Sequence, residues 1–133
     1  MGLANIFRIC GVLYILIMLV LVSVHLFVEW YDTDATDEHI NVGKTMAVII
    51  GASGIGTGIL FLLASFVKDV KTSKILLLGV TASSLLLLIS FVFNETVLNG
   101  SPPIPFWIII GLTFVLSLYG RFRVNKIQNS RHR

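Results

Sequence analysis

The chain has 133 residues, of which 56% are hydrophobic and only 13% carry a charge, and its formal net charge at pH 7 is +3. A soluble domain has roughly 45–50% apolar and about 25% charged residues, so this composition excludes an ordinary water-soluble fold. Four apolar runs each last about 20 residues, the length that a helix needs to cross a bilayer. We therefore predict an all-α fold, a four-helix transmembrane bundle with up-down-up-down topology that forms a single integral membrane domain.

The first predicted helix covers residues 6–28. Its apolar stretch exceeds the roughly 7–15 residues of a signal-peptide core, and no small-residue cleavage site follows it, so we interpret it as a retained span. It contains Cys10, the only cysteine of the chain, which we interpret as a small buried apolar residue. For His25, near the end of this helix, we expect a structural hydrogen bond, for which Glu29 is a candidate partner, with a proton-transfer or ligand-binding role as the alternative.

A polar cluster follows the first helix. His25 and Glu29 are one helical turn apart, and five acidic or imidazole side chains come after them: Asp32, Asp34, Asp37, Glu38 and His39. We interpret this segment as a solvated acidic loop and predict no required cofactor. Because imidazoles and carboxylates together bind Zn, Cu or Fe, a divalent metal site is a speculative alternative, with these ligands: His25, Glu29, Asp32, Asp34 and His39.

The second and third predicted helices, residues 45–67 and 74–93, each carry a stripe of small side chains at helical spacing. The stripe of the second helix includes Gly51, Gly54 and Gly58, of which the last two form a GxxxG pair. The stripe of the third includes Gly79, Ala82, Ser83 and Ser90. Small residues allow helices in lipid to approach closely, and the short loop between these two favours an antiparallel pair. We therefore predict that this pair forms the tightest contact of the bundle, with Gly51 near Ser90 and Gly58 near Ser83.

The glycines at positions 51, 54 and 56 also resemble the nucleotide-binding turn of short-chain dehydrogenases. That turn connects a strand to a helix in a soluble βαβ unit, whereas these glycines lie midway along a membrane-length run. We therefore predict no nucleotide binding.

The fourth predicted helix covers residues 104–120 and follows a turn rich in helix breakers, Asn99 to Pro103. Pro105 suits the first turn of this helix, where a missing N–H group leaves no helical bond unmade. Thr72 and Ser73 are the predicted caps of the third helix. Asn94 and Asn99 both match the N-glycosylation pattern, and their use is left open.

Basic and acidic residues separate onto opposite ends of the predicted helices. Nine of the ten basic residues lie at Arg8, between residues 68 and 74, or in the tail 121–133, and six of the seven acidic residues lie in the other two loops. Because basic loops stay cytoplasmic, we predict that both termini lie inside the cell, with the protein in the plasma or inner membrane. We interpret the basic tail as a topology anchor, with attraction to anionic lipids as the alternative, and predict no nucleic-acid binding.

No catalytic or transport motif accompanies these helices, so we predict a protein that is not an enzyme. Our first interpretation is an accessory or scaffold subunit of a larger membrane complex, with the lipid bilayer and other membrane subunits or further copies as partners. One alternative is an oligomeric channel or carrier for a small solute, lined by Ser53, Thr57, Thr81, Ser84 and Ser90. The other is a metal-binding protein or membrane enzyme that uses the outer polar cluster.

Overall fold

The computed structural model describes residues 1–27, 34–98 and 102–127, and within them the chain forms four α-helices. These are α1 (Leu3–Phe27), α2 (Asp37–Ala64), α3 (Val70–Val97) and α4 (Ile104–Arg123). Each is long and apolar enough to cross a membrane. The predicted all-α class and the four candidate spans are therefore confirmed.

Two helices extend well beyond their apolar runs. α2 begins at Asp37 rather than at residue 45, because the Thr36 side chain caps it by accepting a hydrogen bond from the backbone N–H of His39 at 3.3 Å. α3 runs from Val70 to Val97 rather than over 74–93. Its cap is Asp69, so the predicted Thr72 and Ser73 caps are wrong. Hydropathy marks the apolar part of a helix, whereas capping groups determine where its backbone starts.

Contacts between the helices follow a different order from the chain. α1 packs most extensively against α2, α3 packs against α4, and α1 also contacts α4, whereas α2 and α3 scarcely meet. The predicted α2–α3 pair as the tightest contact is therefore wrong. The four helices are instead arranged in the spatial order α2, α1, α4, α3.

Glycines on one stripe of α2 receive bulky side chains from α1. A Cβ atom added at Gly51 would collide with Val22, and one at Gly54 with Met18. A Cβ atom at Gly58 would lie 2.7 Å from Cγ1 of Ile15. Along this series of contacts, the residue numbers on α1 therefore decrease as those on α2 increase. Large side chains fill the space left by the glycines, which explains why this stripe pairs with α1 instead of with the small residues of α3.

An apolar core lies where α1 begins and α4 ends. Leu3, Ile6, Phe7 and Cys10 of α1 are buried there with three residues from the other segments: Leu77, Val80 and Val124. Gly120 of α4 also belongs to this region, because a Cβ atom added to it would lie 2.7 Å from side-chain atoms of Ile6 and Leu77. α1, α3 and α4 therefore converge at this end of the molecule.

Candidate functional site

Three of the five predicted metal ligands, His25, Asp34 and His39, lie within the described residues. Glu29 and Asp32 lie outside the described residues, and so does the expected hydrogen bond between His25 and Glu29. Asp34 and His39 are exposed near the start of α2. Within residues 1–27, 34–98 and 102–127, no three His, Cys, Asp or Glu side chains are close enough to hold a metal ion. The five-ligand metal site stays a prediction.

His25 lies on the last turn of α1 and is partly buried. Its Nδ1 atom is 2.9 Å from the backbone carbonyl oxygen of Leu21, one turn earlier in the same helix. A carbonyl oxygen can only accept, so Nδ1 carries the proton in this bond. The bond orients the imidazole along the helix and leaves Nε2 at the opposite side of the ring.

An apolar groove opens beside His25, with a volume of about 710 Å³. Two polar residues, His25 of α1 and Asn94 of α3, contribute to its walls. The apolar walls come from all four helices and from the turn before α4, and include Met18, Leu21, Val24, Ile50, Leu87, Phe91, Pro102, Phe106 and Ile110. Its size and apolar lining with few polar groups are typical of small-molecule sites.

The groove exists because α2 and α3 do not close against each other. Phe91 of α3 packs edge-to-face against Phe106 and Trp107 of α4, with ring centroids 6.4 Å and 5.3 Å apart. These ring contacts hold α3 to α4 on one side of the groove. Ile50 reaches it from α2 on the other side. Sequence reasoning missed the groove, because it follows from the pairing of the helices and no motif marks its walls.

Small polar side chains form a buried layer between α3 and α4. Thr81 Oγ1 lies 2.8 Å from Ser117 Oγ. Each hydroxyl also contacts a carbonyl oxygen of its own helix, Thr81 that of Leu77 and Ser117 that of Phe114. Ser84 is fully buried and donates to the carbonyl oxygen of Val80 at 2.9 Å. In the channel alternative Thr81 and Ser84 would line the pore; in this monomer their side chains are buried.

Three of the four residues that define the small stripe of α3 face away from the other helices. Gly79, Ala82 and Ser90 are exposed, and a Cβ atom added at Gly79 would meet no described atom within 4 Å beyond its own helix backbone. Gly51 and Gly58 contact α1, so the predicted proximities of Gly51 to Ser90 and of Gly58 to Ser83 are wrong. A surface of small residues on α3 is thus left without a partner helix in the described chain.

Comparison of the chain with models of protein families, with curated proteins and with solved structures gave no match. Function therefore has to be inferred from the surfaces of the molecule itself. Two of these surfaces stand out: the groove beside His25, and the small-residue stripe on α3.

Proposed function

We propose that this protein is a small, non-catalytic accessory or scaffold subunit of a larger membrane complex, in the plasma or inner membrane. The observation that carries the proposal is the open surface around Gly79 on α3. A membrane helix that exposes small residues can approach another helix closely, and such contacts drive association in lipid. A helix of the partner would pack against this surface.

The exposure of Gly79 also has an energetic argument behind it. Gly in a helix interior is less favourable than Ala by about 0.8–1.0 kcal/mol on scales measured in water. At Gly58 the close approach of α1 explains the absence of a side chain, because Gly11 O would lie 2.8 Å from an added Cβ. At Gly79 no described neighbour requires it. The same holds at Gly56 and Gly111. At Gly79, however, the open position adjoins the exposed Ala82 and Ser90 of the α3 stripe, and a partner helix there would supply the missing reason.

In this proposal the four helices cross the membrane with up-down-up-down topology, with both termini in the cytoplasm. The opposite order of contacts along α1 and α2 supports alternating directions. The charges support the orientation: Lys68 and Lys71 lie in or next to the α2–α3 loop and Arg121 and Arg123 at the end of α4, whereas Asp37 and Glu38 begin α2 at the other end. Basic ends remain on the cytoplasmic side.

Substitution of Gly79 by Leu tests the accessory role. Because an added Cβ meets no described atom within 4 Å beyond its own helix backbone and Leu is a better helix former than Gly, we expect the thermal unfolding midpoint of Gly79→Leu in detergent to equal or exceed that of the wild type. We expect the variant to lose its partner when tagged protein is purified from native membranes and the copurifying proteins are quantified by mass spectrometry.

The matched control is Gly111→Leu, on α4, where an added Cβ also meets no atom within 4 Å but the exposed neighbours one turn away, Ile108 and Val115, are large. It makes the same change in helix propensity at a surface without small residues, and we expect it to retain the partner. Retention of the partner by Gly79→Leu would contradict the proposed surface. Recovery of only further copies of this chain from the wild type would favour self-association over an accessory role.

A further inference from the structure

The segment that follows α4 folds across the start of α1. The backbone N–H groups of Leu3 and Ala4 donate to the carbonyl oxygens of Lys126 and Ile127, at 2.9 Å and 3.0 Å. These N–H groups belong to the first turn of α1 and have no partner within their own helix. The segment thus satisfies the exposed donors of α1 and is held in a defined position by them.

Two side-chain contacts fix the same segment from other directions. Val124 is only 4% exposed and belongs to the apolar core at this end. The Asn125 side-chain oxygen accepts a hydrogen bond from Lys74 Nζ of α3, at 2.6 Å. Residues 124–127 are therefore a built element of the fold, attached to both α1 and α3.

A polar pocket of about 490 Å³ lies between this segment and the last turns of α4. Its lining consists of Met1, Tyr119, Arg123, Val124, Asn125 and Lys126. Tyr119 and Arg123 are one helical turn apart on one face of α4, and Lys126 lines the pocket from the folded segment. Two cations line the pocket, and no acidic side chain is among the described residues that do so.

We propose that this pocket binds the phosphate of an anionic phospholipid headgroup, with Arg123 and Lys126 as its charged ligands. A guanidinium and an ammonium group are the side chains that recognise phosphate best. The phenol of Tyr119 and the neighbouring amide of Asn125 supply further hydrogen-bonding groups. The site does not depend on the proposed accessory function.

The position of the pocket favours a lipid over a free phosphate ion. It lies at the end of a helix long and apolar enough to span the membrane, where phospholipid headgroups are found. Tyr119, at the same helix end, is 47% exposed. Exposed tyrosine rings are characteristic of the headgroup level of a membrane. The acyl chains of a lipid bound there would run along the outside of α4.

The test measures lipid binding by the purified full chain in detergent at about 0.15 M salt. Short-chain phosphatidylglycerol, phosphatidylcholine and inorganic phosphate are titrated separately, and the rise in unfolding midpoint gives the dissociation constant for each, because a ligand that binds only the folded state stabilises it. We expect phosphatidylglycerol to bind and the other two ligands to give no comparable shift.

The variant Arg123→Gln/Lys126→Gln should weaken phosphatidylglycerol binding by about 30-fold, the effect of two interfacial cations. Lys68→Gln/Lys71→Gln removes the same charge in and beside the α2–α3 loop, outside the pocket, and should leave the affinity within a factor of about two, because salt screens distant exposed charges. The charge-preserving swap Arg123→Lys/Lys126→Arg should retain most of the affinity.

Three results would overturn the assignment. Equal losses in the two Gln variants would show diffuse attraction to the basic end instead of a site. Equal binding of phosphatidylcholine would remove the role of the lipid's negative charge. Equal stabilisation by inorganic phosphate would identify a site for the free ion.

Discussion

The carboxylate of Asp69 accepts hydrogen bonds from the backbone N–H and from the hydroxyl of Thr72, at 2.7 Å and 2.5 Å. Both bonds favour its charged form, the side-chain bond more strongly than the backbone bond. Together they hold the pKa of this carboxyl below its usual range. A carboxyl with a lower pKa in the folded than in the unfolded chain contributes stability above its unfolded pKa. That contribution is lost as the pH falls through the folded value.

We therefore expect the thermal unfolding midpoint of the protein in detergent to decrease when the pH is lowered below about 4, in part because Asp69 becomes protonated. The variant Asp69→Asn keeps a side-chain oxygen that can cap α3 but has no proton to gain. The difference between wild-type and Asp69→Asn midpoints should therefore change as the pH is lowered. A difference that stays constant across that range would contradict the role assigned to this carboxylate.

His25 shows what sequence reasoning reaches at the scale of one residue. Its type and position near the end of a span indicated a structural hydrogen bond, and its Nδ1–H does donate to the carbonyl oxygen of Leu21. The groove beside it was not predictable, because its walls come from four helices whose arrangement no local pattern encodes. A residue's own bonds depend on its immediate neighbours in the chain, whereas its surroundings depend on helix packing.

At the scale of the helix, the α1–α2 contact depends on the absence of side chains. Gly58 of α2 approaches the backbone of α1 so closely that an added Cβ would lie 2.8 Å from Gly11 O. A backbone atom cannot move aside as the end of a flexible side chain can. Overpacking of this kind typically costs about 1–3 kcal/mol.

Gly58→Leu should therefore lower the free energy of unfolding in detergent by about 1–3 kcal/mol or more. Gly56→Leu is the control, because it lies two residues away in the same helix and faces open space. Thermal and denaturant unfolding of the two variants would measure the difference. Equal stability of both would mean that Gly58 does not lie at a tight contact.

The sequence predicts the existence of four helices far more readily than it predicts which helices contact each other. A chain in lipid must satisfy its backbone hydrogen bonds internally, so four long apolar runs leave little choice but helices. Pairing depends on shape, and two small-residue stripes do not reveal whether they meet each other or receive larger side chains. Here Val22 and Met18 of α1 fill the glycine stripe of α2, and α3 uses Thr81 to contact Ser117 of α4.

At the scale of the whole molecule, the charge distribution predicts which side of the membrane each loop occupies. Single cysteines introduced at Asp34 and Glu95 should react with a membrane-impermeant thiol reagent added to intact cells. Cysteines at Lys68 and Lys126 should react only after the membrane is opened, because their loop and tail lie inside. All four residues are exposed, whereas the native Cys10 is fully buried and gives little background. Labelling of Asp34→Cys and Lys126→Cys from the same side would contradict an even number of crossings.

The arrangement α2, α1, α4, α3 leaves the two flanking helices with most of their perimeter facing lipid. α2 and α3 each bury few side chains against the rest of the chain, as their long exposed apolar faces show. The central helices α1 and α4 hold the two flanks together. A partner helix can therefore approach α3 without displacing any contact inside the protein.

The hydrogen bonds from Leu3 and Ala4 to Lys126 and Ile127 also order events during synthesis. A ribosome delivers the first helix to the insertion machinery long before it translates the residues that complete its first turn. Until then the backbone N–H groups at that end of α1 can donate only to water or to lipid headgroups. The first turn of α1 is thus completed only after residues 126 and 127 have been translated, and a chain that stops before them would leave these two N–H groups without their carbonyl partners.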